Sequence, residues 1–190
     1  MNEIEYYIID RENNNSYPLL LENQGSPVYT TERNYIEDTL EMQFCMGDPI
    51  PKKPRIVDYH STPYSVISRK IYDVLEPMKI RGLQLIPATI IGINNELIKD
   101  YWYVHIYNNY PVLDRENSIY RWSEIRQVAN FIEKLVLDTQ KLKEIPMENR
   151  LVFRLQERRT FQLFHQSIVD AILSVNPEGV RFINVKDWTL

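Results

Sequence analysis

Strand-like runs follow one another along most of this chain, and only two stretches carry a sustained helical period. "IEYYIID" (4–10), "GLQLIPATII" (82–91) and "DYWYVHIYN" (100–108) are rich in β-branched and aromatic residues. "RLVFRLQE" and "FQLF" read as an antiparallel pair turning at Arg158–Thr160, and "GVRFINV" as a closing strand. A parallel, doubly wound sheet needs a crossover, usually a helix, between successive strands. Two helical segments cannot supply that many, so the pattern predicts an α+β fold: a mainly antiparallel sheet with two or three helices, in one compact domain with an N-terminal lobe.

The first helix is placed at 63–76. Thr62 serves as its N-cap, Pro63 takes the first helical position, and Pro77 limits its end. Ile67, Ile71, Val74, Leu75 and Met78 recur along it at helical spacing. The second helix carries Ile168, Ala171, Ile172 and Val175 on one face and stops at "NPEG". "SEIRQVANFIEKLVLDTQKL" fits either period, and a strand is assigned to about 131–138. "MGDPIPKKPR" (46–55) places three prolines and a glycine in ten residues. It marks a loop that separates an acidic N-terminal lobe or arm (1–50) from an α+β domain (51–190).

Charge follows that division. Residues 1–50 carry ten acids against Arg11 and Arg33, a net of −8, and residues 51–190 carry a net of +4. The acidic end argues against nucleic acid as a direct partner, because phosphates would repel it. The single cysteine, Cys45, cannot form an internal bridge, and the opening "MNEIEYYIIDRENNN" has no basic segment followed by an apolar run. The expectation is a reduced, cytoplasmic setting. No segment approaches 18 uninterrupted apolar residues, so no membrane span is expected. Thirteen tyrosines and three tryptophans are available for a core, for an interface or for self-association into a homo-oligomer.

The stretch "VDYHSTPYSVIS" (57–68) gathers the residue types of a hydrolase: Asp58, His60, Ser61 and Ser65. Asp58 and His60 lie two apart, on one face of an extended segment. A nucleophile oriented by a base and an oxyanion loop are also required. No Gly-x-Ser-x-Gly elbow exists, and the chain has only five glycines. The preferred reading is that Asp58, His60 and Thr62 anchor a loop to the start of a helix, with a small hydrolase as the alternative. The histidines, at 60, 105 and 165, are isolated from one another, and there is no Cys-x-x-Cys or phosphate-cradling glycine loop. No metal and no cofactor are therefore expected. Asp114, Glu116 and Asp138 are read as turn and strand-edge carboxylates, and Arg158–Arg159 as a hairpin turn.

The order of blocks resembles one family throughout residues 57–185. The matching features are the Asp–Tyr–His loop, the Ile–Pro pair at 86–87, and the turn from Asp114 to Ser118. "LVLD" at 135–138, "LVFRL" at 151–155 and "GVRF" at 179–182 complete the set. Together they are similar to the bacterial polymorphic-toxin immunity proteins of family eleven, formerly a domain of unknown function. The chain departs from the family pattern at "FHQS", where His165 stands near a position that tends to hold a serine cap. The resemblance implies a protein that binds and neutralises a cognate antibacterial toxin by occluding its toxic domain, with no chemistry of its own. An oligomerising adaptor module is the further alternative. On the immunity reading the acidic lobe makes the contact, through Tyr29, Glu32, Tyr35, Glu37, Asp38 and Glu41.

Overall fold

The structure is a computed structural model and describes residues 5–29, 32–61 and 64–189. Strands β1 (Tyr6–Arg11), β2 (Leu20–Glu22) and β3 (Met42–Met46) come first. β4 (Tyr59–His60) and β5 (Val66–Ser68) precede helix α1 (Arg69–Leu75), and β6 (Leu83–Ile91) and β7 (Leu97–Ile106) form a long hairpin. β8 (Asn109–Tyr110) leads to a second hairpin, β9 (Ile119–Ser123) with β10 (Val128–Lys134), and then to α2 (Thr139–Glu144). β11 (Val152–Leu155), β12 (Gln162–His165), α3 (Gln166–Leu173) and β13 (Val180–Asn184) follow.

The strands make a five-stranded sheet ordered β13-β1-β12-β11-β8, a six-stranded sheet ordered β2-β3-β6-β7-β5-β4, and the separate β9–β10 hairpin. Among the described residues, the pairings are antiparallel except β3 with β6 and β8 with β11. This is the α+β, mainly antiparallel class that the run of strands requires. The strands of the first 50 residues enter both large sheets. β1 lies between β12 and β13, and β3 lies against β6. Pro87 is tolerated inside β6 because the β3 pairing begins one residue later, at Ala88.

Alternation along β1 explains the layering. Tyr6 and Ile8 belong to a core shared with Phe153, Leu163, Ile132 and Leu142, under the β9–β10 hairpin and α2. Tyr7 and Ile9 point the other way and pack against a second core. There α1 (Ile71, Leu75) and α3 (Ile168, Ile172) meet Trp102, Val104 and Ile106 of β7. The opposite face of the six-stranded sheet holds a third core, with Phe44, Val66, Ile86, Ile90 and Tyr103, against which Tyr29 and Ile36 pack.

Two elements differ from the sequence expectation. The first helix begins at Arg69, not at 63, because Val66 and Ile67 pair with Tyr103 and Trp102 as a strand. Burying Ile67 fully is worth roughly 2 kcal/mol, whereas helix propensities differ by under about 1 kcal/mol per residue. Thr62 and Pro63, the expected cap and first position, lie outside the described residues. The strand expected at 131–138 runs instead from Val128 to Lys134. Beyond it, Leu137 makes only an isolated bridge to Leu113, and the Asp138 carboxylate accepts the N–H groups of Gln140 and Lys141, capping α2. The second helix ends at Leu173, so Val175 lies past it.

Candidate partner-binding surface and an arginine-lined cavity

Residues 57–61 and 64–68 form a fastening. The Asp58 carboxylate accepts from the Ser68 hydroxyl (2.7 Å), the Glu178 N–H (2.8 Å) and the Lys70 ammonium (3.3 Å). Burial works against the charged form, but the Glu178, Ser68 and Lys70 donors outweigh it and hold this carboxyl below its ordinary range. Ser68 stands at the N-cap position of α1, so Asp58 joins the helix start to the turn before β13. At that turn Gly179 adopts φ +86°. A Cβ there would overlap the Val57 side chain and stand 2.7 Å from the Tyr59 carbonyl oxygen.

His60 is 2% exposed. Its Nε2 accepts the Val57 N–H at 3.1 Å, which leaves the proton on Nδ1, 3.3 Å from the Pro18 carbonyl. Burial pulls its pKa down to about 4. Asp58 and His60 thus turn to different partners. Ser65 is engaged with Tyr59 (3.2 Å) and Gln162 (3.1 Å), and Ser118 with both backbone groups of Val136. Asp114 closes its own turn, accepting the N–H groups of Glu116 and Asn117 at 3.0 Å. His165 is itself the N-cap of α3, its Nδ1 accepting the Ser167 N–H at 3.2 Å. Among the described residues no three of His, Cys, Asp and Glu converge as metal ligands. No described helix is long and apolar enough to cross a membrane.

The acidic stretch 32–41 lies on the six-stranded sheet, over the third core. Gln84 of β6 binds both backbone groups of Ile36, and His105 of β7 lies 2.9 Å from the Asn34 carbonyl. Glu41 accepts the Thr89 hydroxyl at 2.7 Å. Glu32, Glu37, Asp38 and Glu41 are exposed. Tyr35, 61% exposed, stands edge-on to Tyr107. Tyr29 does not share that exposure: it is half-buried, and its hydroxyl accepts the Leu40 N–H at 2.9 Å, bracing the segment from beneath. Leu40, 66% exposed, adds an apolar contact that the sequence reading did not single out.

A second feature escaped that reading. A cavity of about 670 Å³ opens where β1, β11 and β12 meet β4, β5 and β7. Arg154, Arg158 and Arg159 line it beside Tyr59, Tyr103, Phe161 and Trp188. Arg154 lies opposite Gln162 in the β11–β12 register and beside the Tyr103 hydroxyl. The buried Arg154 Nε, Arg159 Nη2 and Trp188 Nε1 donors have no acceptor among the described residues. The sequence touches this cavity at the basic pair 158–159 and at Ser61 and Ser65, which also line it; Arg154, Tyr103 and Trp188 come from three other segments.

Two mixed sheets, with an acidic strip hydrogen-bonded to one of them, define an α+β protein. The chain belongs to the Immunity protein family (Imm11), whose family model matches residues 5–187. That span takes in the acidic strip, the Asp58 fastening and the cavity arginines. Members of such a family confer immunity to a toxin and are in general not enzymes. No curated protein matches this chain.

Proposed function

We propose that this protein binds the toxic domain of a cognate antibacterial toxin in the cytoplasm and neutralises it by covering that domain's working surface. Membership of the immunity family over residues 5–187 carries the reading. The strip at 32–41 supports its finer part. Glu32, Glu37, Asp38 and Glu41 surround the exposed Tyr35 and Leu40, so charge for steering frames two side chains that can bury on contact. A toxin acting on phosphate-bearing substrates presents a basic groove, and an acidic strip competes for the same field. Binding of this kind needs a rigid surface and no reaction, consistent with Asp58, His60 and Ser65 being spent on holding the loop.

The deciding experiment is co-expression with the toxin domain encoded beside this protein, followed by co-purification. Protection of the cells together with a stable complex is expected. Protection without any complex would overturn occlusion, and loss of protection in a His60→Gln variant that still binds toxin would favour chemistry at position 60.

A further inference from the structure

The arginine-lined cavity has the composition of a ligand site. Three guanidinium groups share its wall, and among the described residues none of the three makes an ion pair with a carboxylate. Asp10 also lines the cavity, but it is committed to Arg181, whose Nε lies 3.1 Å away. Arg158 is turned to the carbonyls of Ala129 and Asn130, and Arg159 Nε to Asn109 at 3.3 Å. Arg154, Arg159 and Trp188 line the space, and each carries a buried donor (Arg154 Nε, Arg159 Nη2 and Trp188 Nε1) without an acceptor among the described residues. The three arginines are half-buried, and like charges crowded in one wall repel each other unless an anion is bound between them. Burial first, and then the nearby Arg154 and Arg33, pull the Arg159 guanidinium below its ordinary value, as expected where like charges crowd.

The geometry points to a binding site for a small phosphate monoester. Its phosphoryl group is held by the guanidinium groups of Arg154 and Arg159, and its organic part lies against Tyr103 and Phe161. A guanidinium fork matches two phosphoryl oxygens at once, and a dianion answers several cations better than one carboxylate does. About 670 Å³ falls in the range of cavities that enclose small molecules. This site adjoins the acidic strip, whose Arg33 lies near Arg159, but the assignment does not depend on toxin binding.

The test is titration calorimetry on the full chain with adenosine monophosphate, inorganic phosphate, adenosine and citrate. Adenosine monophosphate is expected to bind, and adenosine is not. A Kd for adenosine monophosphate tighter than that for inorganic phosphate assigns the source to an ester, and equal Kd values assign it to the free ion; both keep the phosphoryl site. Arg159→Gln, in the β11–β12 connection, is expected to weaken binding on the order of tenfold or more, as loss of a charge-assisted donor does. Arg154→Lys, which keeps the charge but loses the fork, is expected to act in the same direction. No binding by either phosphate probe, citrate binding as tightly as adenosine monophosphate, or affinity unchanged in both variants would overturn the assignment.

Discussion

Gln84 holds Ile36 at two points: its Nε2 donates to the Ile36 carbonyl at 2.8 Å, and its Oε1 accepts the Ile36 N–H at 3.1 Å. A side-chain amide here does what a neighbouring strand would do, pinning the acidic stretch to β6. With His105 at Asn34 and Thr89 at Glu41, the stretch is fastened at three places along its length.

Removing the clasp should loosen the strip without unfolding the sheets. Gln84→Ala forfeits two part-buried hydrogen bonds, together about 2 kcal/mol. The Leu40 amide, bonded to the Tyr29 hydroxyl, reports on the segment. Its exchange with deuterium should accelerate on the order of tenfold or more, while the global unfolding midpoint moves little. Unchanged Leu40 protection would mean the other two fastenings suffice.

His60 makes stability depend on pH in a definite direction. Its ring is neutral in the folded protein, with Nε2 facing the Val57 N–H, so a second proton would set donor against donor. The folded pKa, about 4, lies below the unfolded value near 6.5. The unfolded chain therefore binds the proton first. The contribution is present in full above about pH 6.5 and declines as pH falls toward 4, by about 3 kcal/mol at most. Urea unfolding at pH 7.5 and pH 5 measures it. His60→Gln can keep both hydrogen bonds and cannot titrate, so its pH dependence should be flatter. Parallel pH profiles for wild type and variant would remove His60 as the source.

Gly179 should tolerate no side chain. Its φ of +86° strains any L residue, and the Cβ would meet Val57 and the Tyr59 carbonyl. Backbone strain and overlap together place Gly179→Ala at about 2 kcal/mol destabilising or more. Asp58 would lose its registration with the Glu178 N–H at the same time. A change under about 0.5 kcal/mol in urea unfolding would show that the turn can shift.

What could be read from the chain divides along physical lines. β6, β7, β11 and β12 were legible because their aromatic and β-branched runs pair locally, between neighbours in sequence, and β13 was legible from its own run although it pairs with β1 at the far end of the chain. The start of α1 was not, since Ile67 keeps a helical spacing with Ile71 and Val74 yet is claimed, with Val66, by β7, more than 30 residues away. The six-residue helix α2 is too short for a period, and only the Asp138 cap betrays it. Asp58 and His60 could be singled out by type, but their partners, Glu178 and Pro18, are products of the fold, whereas the Asp114 turn closes on Glu116 and Asn117 and is local enough to read from the chain. The cavity was least visible, because it assembles from segments whose individual residues look like ordinary surface arginines and core aromatics.

The acidic strip should act on the rate of association, and Tyr35 on the lifetime of the complex. Glu37 and Asp38 are exposed. Asp38 sits at φ 51°, a backbone state that Asn accepts and Lys resists, so Glu37→Lys with Asp38→Asn changes charge with little strain. Glu41 is better left alone, since its carboxylate also holds Thr89. Stopped-flow mixing with the toxin domain at low salt should show association slowed several-fold or more, with dissociation nearly unchanged. At 1 M salt, where screening acts within about 3 Å, the difference should vanish. Tyr35→Ala removes a large exposed ring from the middle of the strip, and should instead speed dissociation at both salt concentrations. If neither variant altered either rate, the strip would lie outside the contact. If the charge variant changed only dissociation, Glu37 and Asp38 would be making desolvated contacts inside the interface, because a group that merely steers acts before contact forms.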